Sequence, residues 1–497
     1  MSDKKSAIII GSGIGGIATA IYLARNGYEV KIFEKNASPG GRCGQTIRDG
    51  HRFDLGATML LMPSVYRDVL SSLGLKLEEN FDIAPLDTMY KLYYADGTQL
   101  SFSSDEEVMR PQMEAIEEGS FSKLQQYNAL GYTFFKSSMK ELIGRNFFKI
   151  TDFITIKNTL LLVKLKTYLK HSYFIKKYFS HPHLQMAFTF QNIYIGQSPF
   201  KSPALFSMLS AAEMKEGSFS IRGGMYSIVE KLLSTATASG VEFNFLSPVS
   251  RIVIQEKRAT GIVLNNGNQH TADIIIANAD LPYVYRELLP DKRMSLKLDH
   301  MSYACSAMVF HWGLDKVYPQ LGHHSVFFSE GYRSSMDKIF EEKAFAEHPN
   351  FYICAPCRSD LQAAPEGQDT LSVVIPAGHL DKKHDHDWNK LKNSARASVI
   401  SRLRELGLED IENHIKFEIC YLPQTWRSVY NVSRGAVFGS LSHCIFQMGY
   451  FRPHNRHRCY RNLYFVGGST HPGNGVPLVL MSAKLTAERI LKEEKTQ

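Results

Sequence analysis

Short apolar runs separated by glycine mark the first unit of the chain. Residues 7–10 predict a buried strand, and a glycine turn follows. The next stretch, IATAIYLARNG, has apolar residues at helical spacing until Gly27 ends the pattern. Residues 29–33 alternate as a second strand that ends at Glu34. The pattern therefore predicts a βαβ unit with an acidic residue after its second strand.

The glycine turn of this unit has the spacing of a dinucleotide-binding loop. Gly11 permits the tight turn, Gly13 lets the backbone approach a pyrophosphate, and Gly16 lets the helix pack close to the strand. The N terminus of the helix then offers N–H groups to the phosphates. Glu34 can accept hydrogen bonds from ribose hydroxyls and would repel a 2′-phosphate. FAD or NAD is therefore favoured over NADP.

A second glycine pair favours FAD over NAD as the cofactor. Gly40, Gly41 and Arg42 follow soon after the acidic residue, and residues 50–58 read GHRFDLGAT. A loop of this kind suits a larger and more extended cofactor, with Arg42 meeting the pyrophosphate or lying along the flavin. The alternative interpretation is a glycine-rich surface turn.

The C-terminal region repeats the order of strand, glycine loop and helix. Residues 462–466 read as a buried strand, residues 467–477 as a bare glycine loop, and the rest as a helix. Such a loop brings backbone N–H groups close to a ligand. The planar ring of a cofactor can lie against the backbone only where the side chains are small, as they are in this loop. We therefore expect both ends of the chain to hold one cofactor.

The central part of the chain carries a further block of strand patterns. A helix is predicted after Ile221-Arg222-Gly223-Gly224-Met225, and Asn266-Gly267 is a turn signal. Strands are predicted at residues 241–246, 251–255, 260–264 and 273–277.

Length and composition place the chain among folded proteins of more than one structural unit. The 497 residues fit two or three units, and 44% apolar with 21% charged residues is close to the average of globular proteins. The start is too short for a secretory signal, and no run reaches the ~18–20 apolar residues that span a bilayer. The seven cysteines make no regular framework, which favours a reducing cytoplasm.

Metal binding is not expected. Cys354 and Cys357 form one CxxC pair, for which we favour a structural role over a redox or metal role because no second pair accompanies it. The histidines and acids of residues 383–388 are adjacent in sequence and suit a solvated loop.

The positive charge is concentrated in one segment. The net charge of +8 is modest, but residues 145–177 interleave lysine and arginine with Phe, Ile, Leu and Tyr, and Asp152 is their only acid. This is typical of amphipathic segments that lie on an anionic membrane. The alternative is an ordinary surface helix with a buried stripe. Nucleic acid is disfavoured because no recognition motif accompanies the charge.

Five separated motifs carry a family resemblance over almost the whole length. They are NADLPYVYRELL (278–289), YPQLGHHSVFF (318–328), APCRSDLQAAPEG (355–367), YFRPHNR (450–456) and GGSTHPGNGVPLVLMSAK (467–484). The chain resembles bacterial and fungal phytoene desaturases and their diapocarotenoid relatives, within the amine oxidase-like superfamily of flavoproteins.

The resemblance implies a two-electron, FAD-dependent desaturation of a long isoprenoid. It also implies a long apolar tunnel, a peripheral position on the inner face of a cytoplasmic membrane, and oxygen or a quinone as final electron acceptor. Members that oxidise terminal methyl groups or saturate retinol remain alternatives, since Ala57 stands where many desaturases have proline. A non-catalytic prenyl-binding escort protein is an alternative of another class, although the FAD loops are intact here.

The expected fold is α/β, with a discontinuous Rossmann-like FAD domain, a mixed α+β substrate domain and a helical membrane-facing part. We predict the FAD domain at 1–70, 219–290 and 455–497, and the substrate domain at 71–218 and 291–454. The resemblance places Val249 at the adenine through its backbone. The predicted cofactor-binding residues are Gly11, Ser12, Gly13, Ile14, Gly15, Gly16, Glu34, Lys35, Gly41, Arg42, Thr58, Val249, Gly467, Gly468, Gly475 and Val476.

Three residues are candidates for the acceptor of the released proton. They are Glu213, Asp152 and His471. Each has a structural alternative. Glu213 could pair with a nearby arginine such as Arg222, Asp152 could offset neighbouring lysines, and His471 could belong to the frame of the glycine loop.

Overall fold

The computed structural model describes residues 4–495. Their strands, in chain order, are β1 (Ser6–Ile10), β2 (Glu29–Phe33), β3 (Gln45–Arg48), β4 (His51–Asp54), β5 (Leu60–Leu61), β6 (Ile83–Pro85), β7 (Tyr90–Tyr93), β8 (Gln99–Phe102), β9 (Ser218–Ile221), β10 (Glu242–Asn244), β11 (Val249–Gln255), β12 (Arg258–Leu264), β13 (Gln269–Thr271), β14 (Ile274–Ala277), β15 (Ser306–Leu314), β16 (His324–Phe327), β17 (Phe351–Cys354), β18 (Asp369–Ala377), β19 (Ile415–Tyr421) and β20 (Leu463–Phe465).

The α-helices of the same residues are α1 (Ile14–Arg25), α2 (Pro63–Ser72), α3 (Leu77–Asn80), α4 (Glu106–Ile116), α5 (Ser120–Ser138), α6 (Ile150–Phe153), α7 (Ile156–Lys164), α8 (His171–Ile175), α9 (Pro182–Ala187), α10 (Ser207–Glu216), α11 (Tyr226–Ala238), α12 (Leu281–Tyr283), α13 (Lys292–Asp299), α14 (Tyr332–Phe340), α15 (Trp388–Glu405), α16 (Pro423–Tyr430) and α17 (Val476–Lys495).

A five-stranded parallel sheet organises both ends of the chain. Its order is β10-β2-β1-β14-β20, and every neighbouring pair is parallel. The central strands β1 and β14 are apolar because a parallel sheet is covered on both faces. All five strands come from the three segments predicted for the FAD domain. The division of the whole chain into two domains stays a prediction.

A seven-stranded mixed sheet forms the second layer. Its order is β19-β15-β18-β17-β16-β7-β8, and only the pair of β16 with β7 is parallel. Every residue of β15 is buried, and Trp312 on this strand lies in one core with Trp388 and Val399 of α15. This sheet brings β7, β16 and β17 side by side, which matters for the site described below.

Helices α4 to α10 form a third layer beside the sheets. Helices α5 and α10 lie so close that a Cβ at Gly131 would be 2.6 Å from the Cβ of Ala211. One apolar core continues from α1 through this helical layer. The α/β class that the sequence predicts is confirmed. The assignment of the helical layer to a membrane stays a prediction.

Most predicted strands are shifted by one or two residues at an end, and two segments differ more. The strand predicted at 241–246 is limited to Glu242–Asn244, and the basic segment 145–177 forms short helices rather than one amphipathic helix. The longest of them, α7, has nine residues. Within the described part of the chain, no helix is long and apolar enough to cross a bilayer.

Candidate cofactor site

The first glycine loop packs as tightly as its sequence requires. Gly11 has a positive φ of 98°, and a Cβ at Gly16 would lie 2.3 Å from the Gly11 carbonyl oxygen. Helix α1 starts behind Gly13 without a side-chain cap and without an acidic residue in its first turn. Its first N–H groups are therefore available to an anion, as a phosphate site needs.

Glu34 is fixed beside this loop. One carboxylate oxygen accepts hydrogen bonds from the Ser12 backbone N–H at 2.8 Å and the Ser12 hydroxyl at 3.0 Å. The other accepts the Asn36 backbone N–H at 2.9 Å. Each carboxylate oxygen can accept more than one hydrogen bond, so a ribose hydroxyl can still bind. The position fits the predicted role of Glu34.

The second glycine pair lies against the first loop. The Gly40 N–H donates to the Ser12 carbonyl at 2.9 Å, and a Cβ at Gly41 would be 3.6 Å from the Gly13 Cα. Arg42 donates to the Val437 carbonyl at 2.8 Å and makes no salt bridge with any residue in 4–495. Burial lowers its pKa from the usual value. A partly buried arginine without a carboxylate partner fits an anionic cofactor.

Asn278 connects the two ends of the chain, and sequence reasoning did not assign it. Its side-chain N–H donates to the Gly11 carbonyl at 3.1 Å. A Cβ at Gly15 would lie 2.9 Å from the Asn278 Oδ1, and one at Gly467 would lie 3.4 Å from it. The signal in the sequence was a polar residue directly after the buried strand β14.

The C-terminal loop meets the same site. A Cβ at Gly468 would lie 3.1 Å from the Arg42 Nη2, while one at Gly475 would enter open space. Gly475 has a positive φ of 92° and is exposed just before α17 begins at Val476. This helix start can therefore face a ligand directly. The predicted residues Gly467, Gly468, Gly475 and Val476 stay predictions as flavin contacts.

Arg452 holds the C-terminal loop in place, a role the sequence did not reveal. It is 1% exposed and donates to the carbonyls of Gly468 at 2.6 Å and Thr470 at 2.8 Å. Further bonds reach the Ser442 and Gln447 carbonyls. Local unfolding of the loop would break the hydrogen bonds between this buried guanidinium and the backbone oxygens, which costs free energy. Arg452 thus fixes the position of the loop.

The other predicted cofactor residues lie at the edges of this site. Lys35 donates to the Ser428 carbonyl at 3.1 Å, and Val249 begins β11 two residues after Ser247. The Ser247 N–H donates to the Glu34 carbonyl at 2.7 Å, so the start of β11 is held near Glu34. Thr58 bonds instead to a tyrosine hydroxyl of β17. Their roles toward FAD stay predictions.

The structure separates the proton-acceptor candidates. Asp152 accepts the backbone N–H groups of Phe148 and Lys149 at the start of α6, so it serves as a helix cap. His471 is buried and bonds through Nε2 to the Arg145 carbonyl at 3.0 Å. Burial lowers the pKa of His471 to about 4.

Glu213 does not pair with Arg222, contrary to the structural alternative considered for it. Arg222 lies 3.3 Å from Asp82, whereas Glu213 is buried and accepts a hydrogen bond from Tyr90. The reason is that Glu213 lies on the inner side of α10 while Arg222 is at the surface.

Cys354 lies beside two histidines that are distant from it in sequence. The ligand atoms of His323, His324 and Cys354 lie within 4.8 Å of one another. Burial raises the pKa of the Cys354 thiol to about 12 and lowers that of His323 to about 4, so both are neutral as they stand. The absence of a resident metal stays a prediction.

The comparisons with known proteins agree with this geometry. The sequence profile of the Flavin containing amine oxidoreductase family matches residues 14–491. A zeta-carotene-forming phytoene desaturase of Myxococcus xanthus is 36% identical, covering 99% of this chain and 94% of the relative. A 4,4'-diapophytoene desaturase (4,4'-diaponeurosporene-forming) of Staphylococcus haemolyticus is 34% identical, covering 98% of each.

Solved structures show the same fold at low identity. Putrescine oxidase is 13% identical with a TM-score of 0.64, covering 98% of this chain and 99% of that one. An oxidoreductase from Methanosarcina mazei is 18% identical with a TM-score of 0.62, covering 97% and 100%. The parallel sheet and its glycine loops therefore belong to a fold that this chain shares with these two proteins over almost its whole length.

The chain belongs to the flavin-containing amine oxidoreductase family and, within it, to the group of phytoene and diapophytoene desaturases. The predicted family and the predicted cofactor, FAD, are confirmed.

Replacing Gly13 with valine is expected to abolish FAD retention. Even the Cβ would lie 2.8 Å from the Asn278 Nδ2, and the branched side chain would occupy the path of the pyrophosphate. The measurement is the FAD released on denaturation of protein purified from flavin-replete cells, with thermal unfolding as the folding control. A folded Gly13→Val protein with a full complement of FAD would contradict the assignment of this loop.

Replacing Arg42 with methionine should weaken FAD binding by about tenfold to hundredfold, because a hydrogen bond to a charged group contributes ~1.5–3 kcal/mol. Titration of the apoprotein with FAD measures the Kd. The matched control is Arg48→Met, which truncates an arginine with a 51% exposed side chain at the end of β3 and should leave the Kd unchanged. Equal affinity of both variants would remove Arg42 from the site.

Proposed function

We propose that this protein is an FAD-dependent desaturase of a long isoprenoid in carotenoid biosynthesis. The observation that carries the proposal is full-length similarity to phytoene and diapophytoene desaturases, together with glycine loops from both chain ends at one site. FAD, when bound, supplies a two-electron oxidant for carbon–hydrogen bonds.

The residues of the chain bind and orient this cofactor. The first glycine loop and the N terminus of α1 hold the pyrophosphate, Glu34 holds a ribose, and Arg42 offsets the negative charge. The C-terminal loop from Gly467 to Gly475 would face the flavin ring of FAD. The helical layer contributes to an apolar core rich in aromatic side chains, from which water is excluded.

The relatives indicate the class of the substrate, a long isoprenoid. They do not indicate the length of its carbon chain. The Myxococcus xanthus relative acts on phytoene and the Staphylococcus haemolyticus relative on diapophytoene, at nearly equal identity to this chain. We therefore propose a hydrogenated C30 or C40 polyene as substrate, with oxygen or a quinone as final electron acceptor.

Supplied with such a precursor in liposomes, the enzyme should lengthen its conjugation in two-electron steps. Each step removes two mass units and shifts the absorbance to the red, because FAD accepts two electrons at a time. Chromatography with absorbance and mass detection measures the products, with and without oxygen or added quinone. The FAD-free Gly13→Val variant is the control.

The products also separate the alternatives. A gain of oxygen at a chain end would assign the protein to the terminal-methyl oxidases, and a gain of two hydrogens to saturases. Release of unchanged precursor by the FAD-loaded protein under every acceptor condition would support prenyl binding without catalysis. Any of these results would contradict the desaturase proposal.

A second part of the proposal concerns the surface that meets the membrane. Helix α7 exposes 83% of Ile156, 65% of Leu160 and 56% of Val163. Phe446, 77% exposed, lies in the loop 444–451, which packs on α6 through a ring contact of Phe451 with Phe153. We call residues 148–173 with this loop the basic apolar face. Exposed apolar side chains at this density mark an interaction surface.

Lysines surround these apolar side chains. Lys149, Lys164 and Lys170 are exposed, whereas Lys157 is 2.8 Å from the Glu141 carboxylate and so is partly neutralised. Apolar residues that enter the interface between basic residues suit the inner, anionic leaflet of a cytoplasmic membrane. A long isoprenoid dissolved in that leaflet would then be close to the helical layer.

The protein should bind anionic vesicles more strongly than neutral ones, and high salt should weaken the binding. Each lysine near the surface contributes about 1 kcal/mol. Charge reversal at Lys149, Lys164, Lys166 and Lys170 should release the protein in vesicle flotation, and reversal at Lys157 should have a smaller effect. Equal binding to neutral and anionic vesicles would show that these lysines are only a solvated face.

Charge reversal elsewhere is the control for this experiment. Lys292, Lys297 and Lys390 are exposed on α13 and α15, outside the basic apolar face. Reversing them changes the net charge by a similar amount and should leave vesicle binding unchanged. If both sets release the protein equally, net charge rather than the basic apolar face drives binding.

A further inference from the structure

Glu213 is a buried carboxyl without a cation. It lies on α10, is 2% exposed, and forms no salt bridge with any residue in 4–495. One carboxylate oxygen accepts the Tyr90 hydroxyl at 3.1 Å, and the other, Oε2, has no hydrogen-bond partner among these residues. A buried polar atom left without a partner costs free energy and is rare unless it has a function.

Two tyrosines fix the position of this carboxyl. The Tyr194 hydroxyl donates to the Tyr90 hydroxyl at 2.6 Å, and the Tyr90 ring packs edge-on against Phe190. Gln191 is the remaining polar neighbour of Glu213. Tyr90 comes from β7, whereas Tyr194 and Gln191 come from the 3-10 segment Phe190–Ile195.

The polar side chains that surround Glu213 in the described part of the chain, Tyr90, Tyr194 and Gln191, are all neutral. Burial raises the pKa of Glu213 to about 8 and raises the pKa values of both tyrosines well above the usual range. Helix α5 packs along α10 and places Tyr132 against Glu216, one turn away from Glu213. Glu213 is therefore a stronger base than an exposed glutamate, and once it is ionised its unpartnered oxygen can take a proton.

Glu213 also lies next to the segment that leaves the cofactor loops. Gly56 packs on Arg42 so closely that a Cβ there would be 2.0 Å from the Arg42 carbonyl oxygen. Three residues later, the Met59 sulfur lies 3.1 Å from the Tyr90 hydroxyl. Glu213 and Met59 therefore contact the same Tyr90 hydroxyl, and Met59 lies three residues after Gly56 in the chain.

A second polar network starts close to the tyrosine pair. The ring of His324 is 6.1 Å from that of Tyr90 between centroids, and its Nδ1 is 2.7 Å from the Tyr352 hydroxyl. Tyr352 bonds to Thr58 at 2.7 Å, and Thr58 lines a cavity of about 30 Å³ together with Asp54. That volume holds one water molecule. The hydrogen-bonded network of His324, Tyr352 and Thr58 therefore lies beside the tyrosine pair.

We propose that Glu213 accepts the proton released in each desaturation step, with Tyr90 and Tyr194 as its positioning residues. The inference rests on the proposed function. When a double bond forms, one hydrogen leaves with both electrons of its C–H bond, which is the oxidation that FAD supplies. The neighbouring carbon releases a proton to Glu213 Oε2, and the electron pair of that second C–H bond becomes the new π bond.

The first test measures the carboxyl itself and needs no turnover. Infrared difference spectra of the FAD-loaded protein across a pH titration should show a protonated buried carboxyl that ionises near pH 8. The band should be missing in Glu213→Gln, which keeps an acceptor for Tyr90, and present in Glu216→Gln. If the wild type shows no such band, Glu213 is already ionised and the raised basicity that supports the proposal is wrong.

The second test measures single-turnover flavin reduction by the polyene without oxygen. The wild-type rate should rise with pH through about 8, because only the carboxylate can accept a proton. Glu213→Gln should be slower by about a hundredfold or more and independent of pH over this range. Tyr90→Phe removes a hydrogen bond that lowers the pKa of Glu213, so its profile should move to higher pH.

The pair Tyr132 and Glu216 gives matched controls. Its hydroxyl to carboxylate distance is also 3.1 Å and Glu216 lies on the same helix as Glu213, but the pair is partly exposed. Tyr132→Phe and Glu216→Gln should leave the rate and its pH profile unchanged. A Glu213→Gln protein that retains FAD and desaturates at the wild-type rate overturns the inference and leaves the proposed function intact. A wild-type protein that binds FAD but never desaturates overturns the proposed function, and the infrared titration still tests Glu213.

Discussion

The parallel pairing of β14 with both β1 and β20 is the constraint on which the cofactor site depends. It places the carboxyl ends of β1 and β20 on either side of the carboxyl end of β14, although more than 450 residues separate these two strands. Asn278, directly after β14, then touches the glycine loops of both ends. Only glycine fits at these contacts, so the loops can approach each other and still leave room for a pyrophosphate. The other parts of the site are arranged around these contacts between the two ends of the chain.

The second layer adds chemistry that the cofactor domain cannot provide alone. The seven-stranded sheet brings Tyr90 to the inner face of α10, where it meets Glu213, and also carries His324. A carboxyl in such surroundings favours its neutral form because an ion loses its hydration there. The same burial makes it a good proton acceptor once ionised. Removal of two hydrogens requires a proton acceptor as well as a redox cofactor, and Glu213 is the acceptor that we propose.

The cofactor half was predictable from sequence because its determinants are local. Glycine spacing, an acidic residue after a strand and a helix start appear within short windows, and the structure places Gly11, Glu34 and Arg42 together. The partners of Glu213 were not predictable, since Tyr90 is 123 positions away and meets it only through the sheet. Asn278 and Arg452 were missed for the same reason. The basic segment 145–177 read as one amphipathic pattern, yet turns divide it into short helices.

The central claim is that FAD in this site would accept the two electrons of a C–H bond of the polyene, so that a carbon–carbon single bond becomes a double bond. The most direct test is an anaerobic titration of the FAD-loaded protein with the hydrogenated precursor, in which flavin absorbance and product mass are measured in the same sample. The account predicts one flavin reduced for every two mass units lost from the polyene, and no oxygen incorporated. Product formation without flavin reduction, or flavin reduction without loss of hydrogen from the polyene, would contradict it.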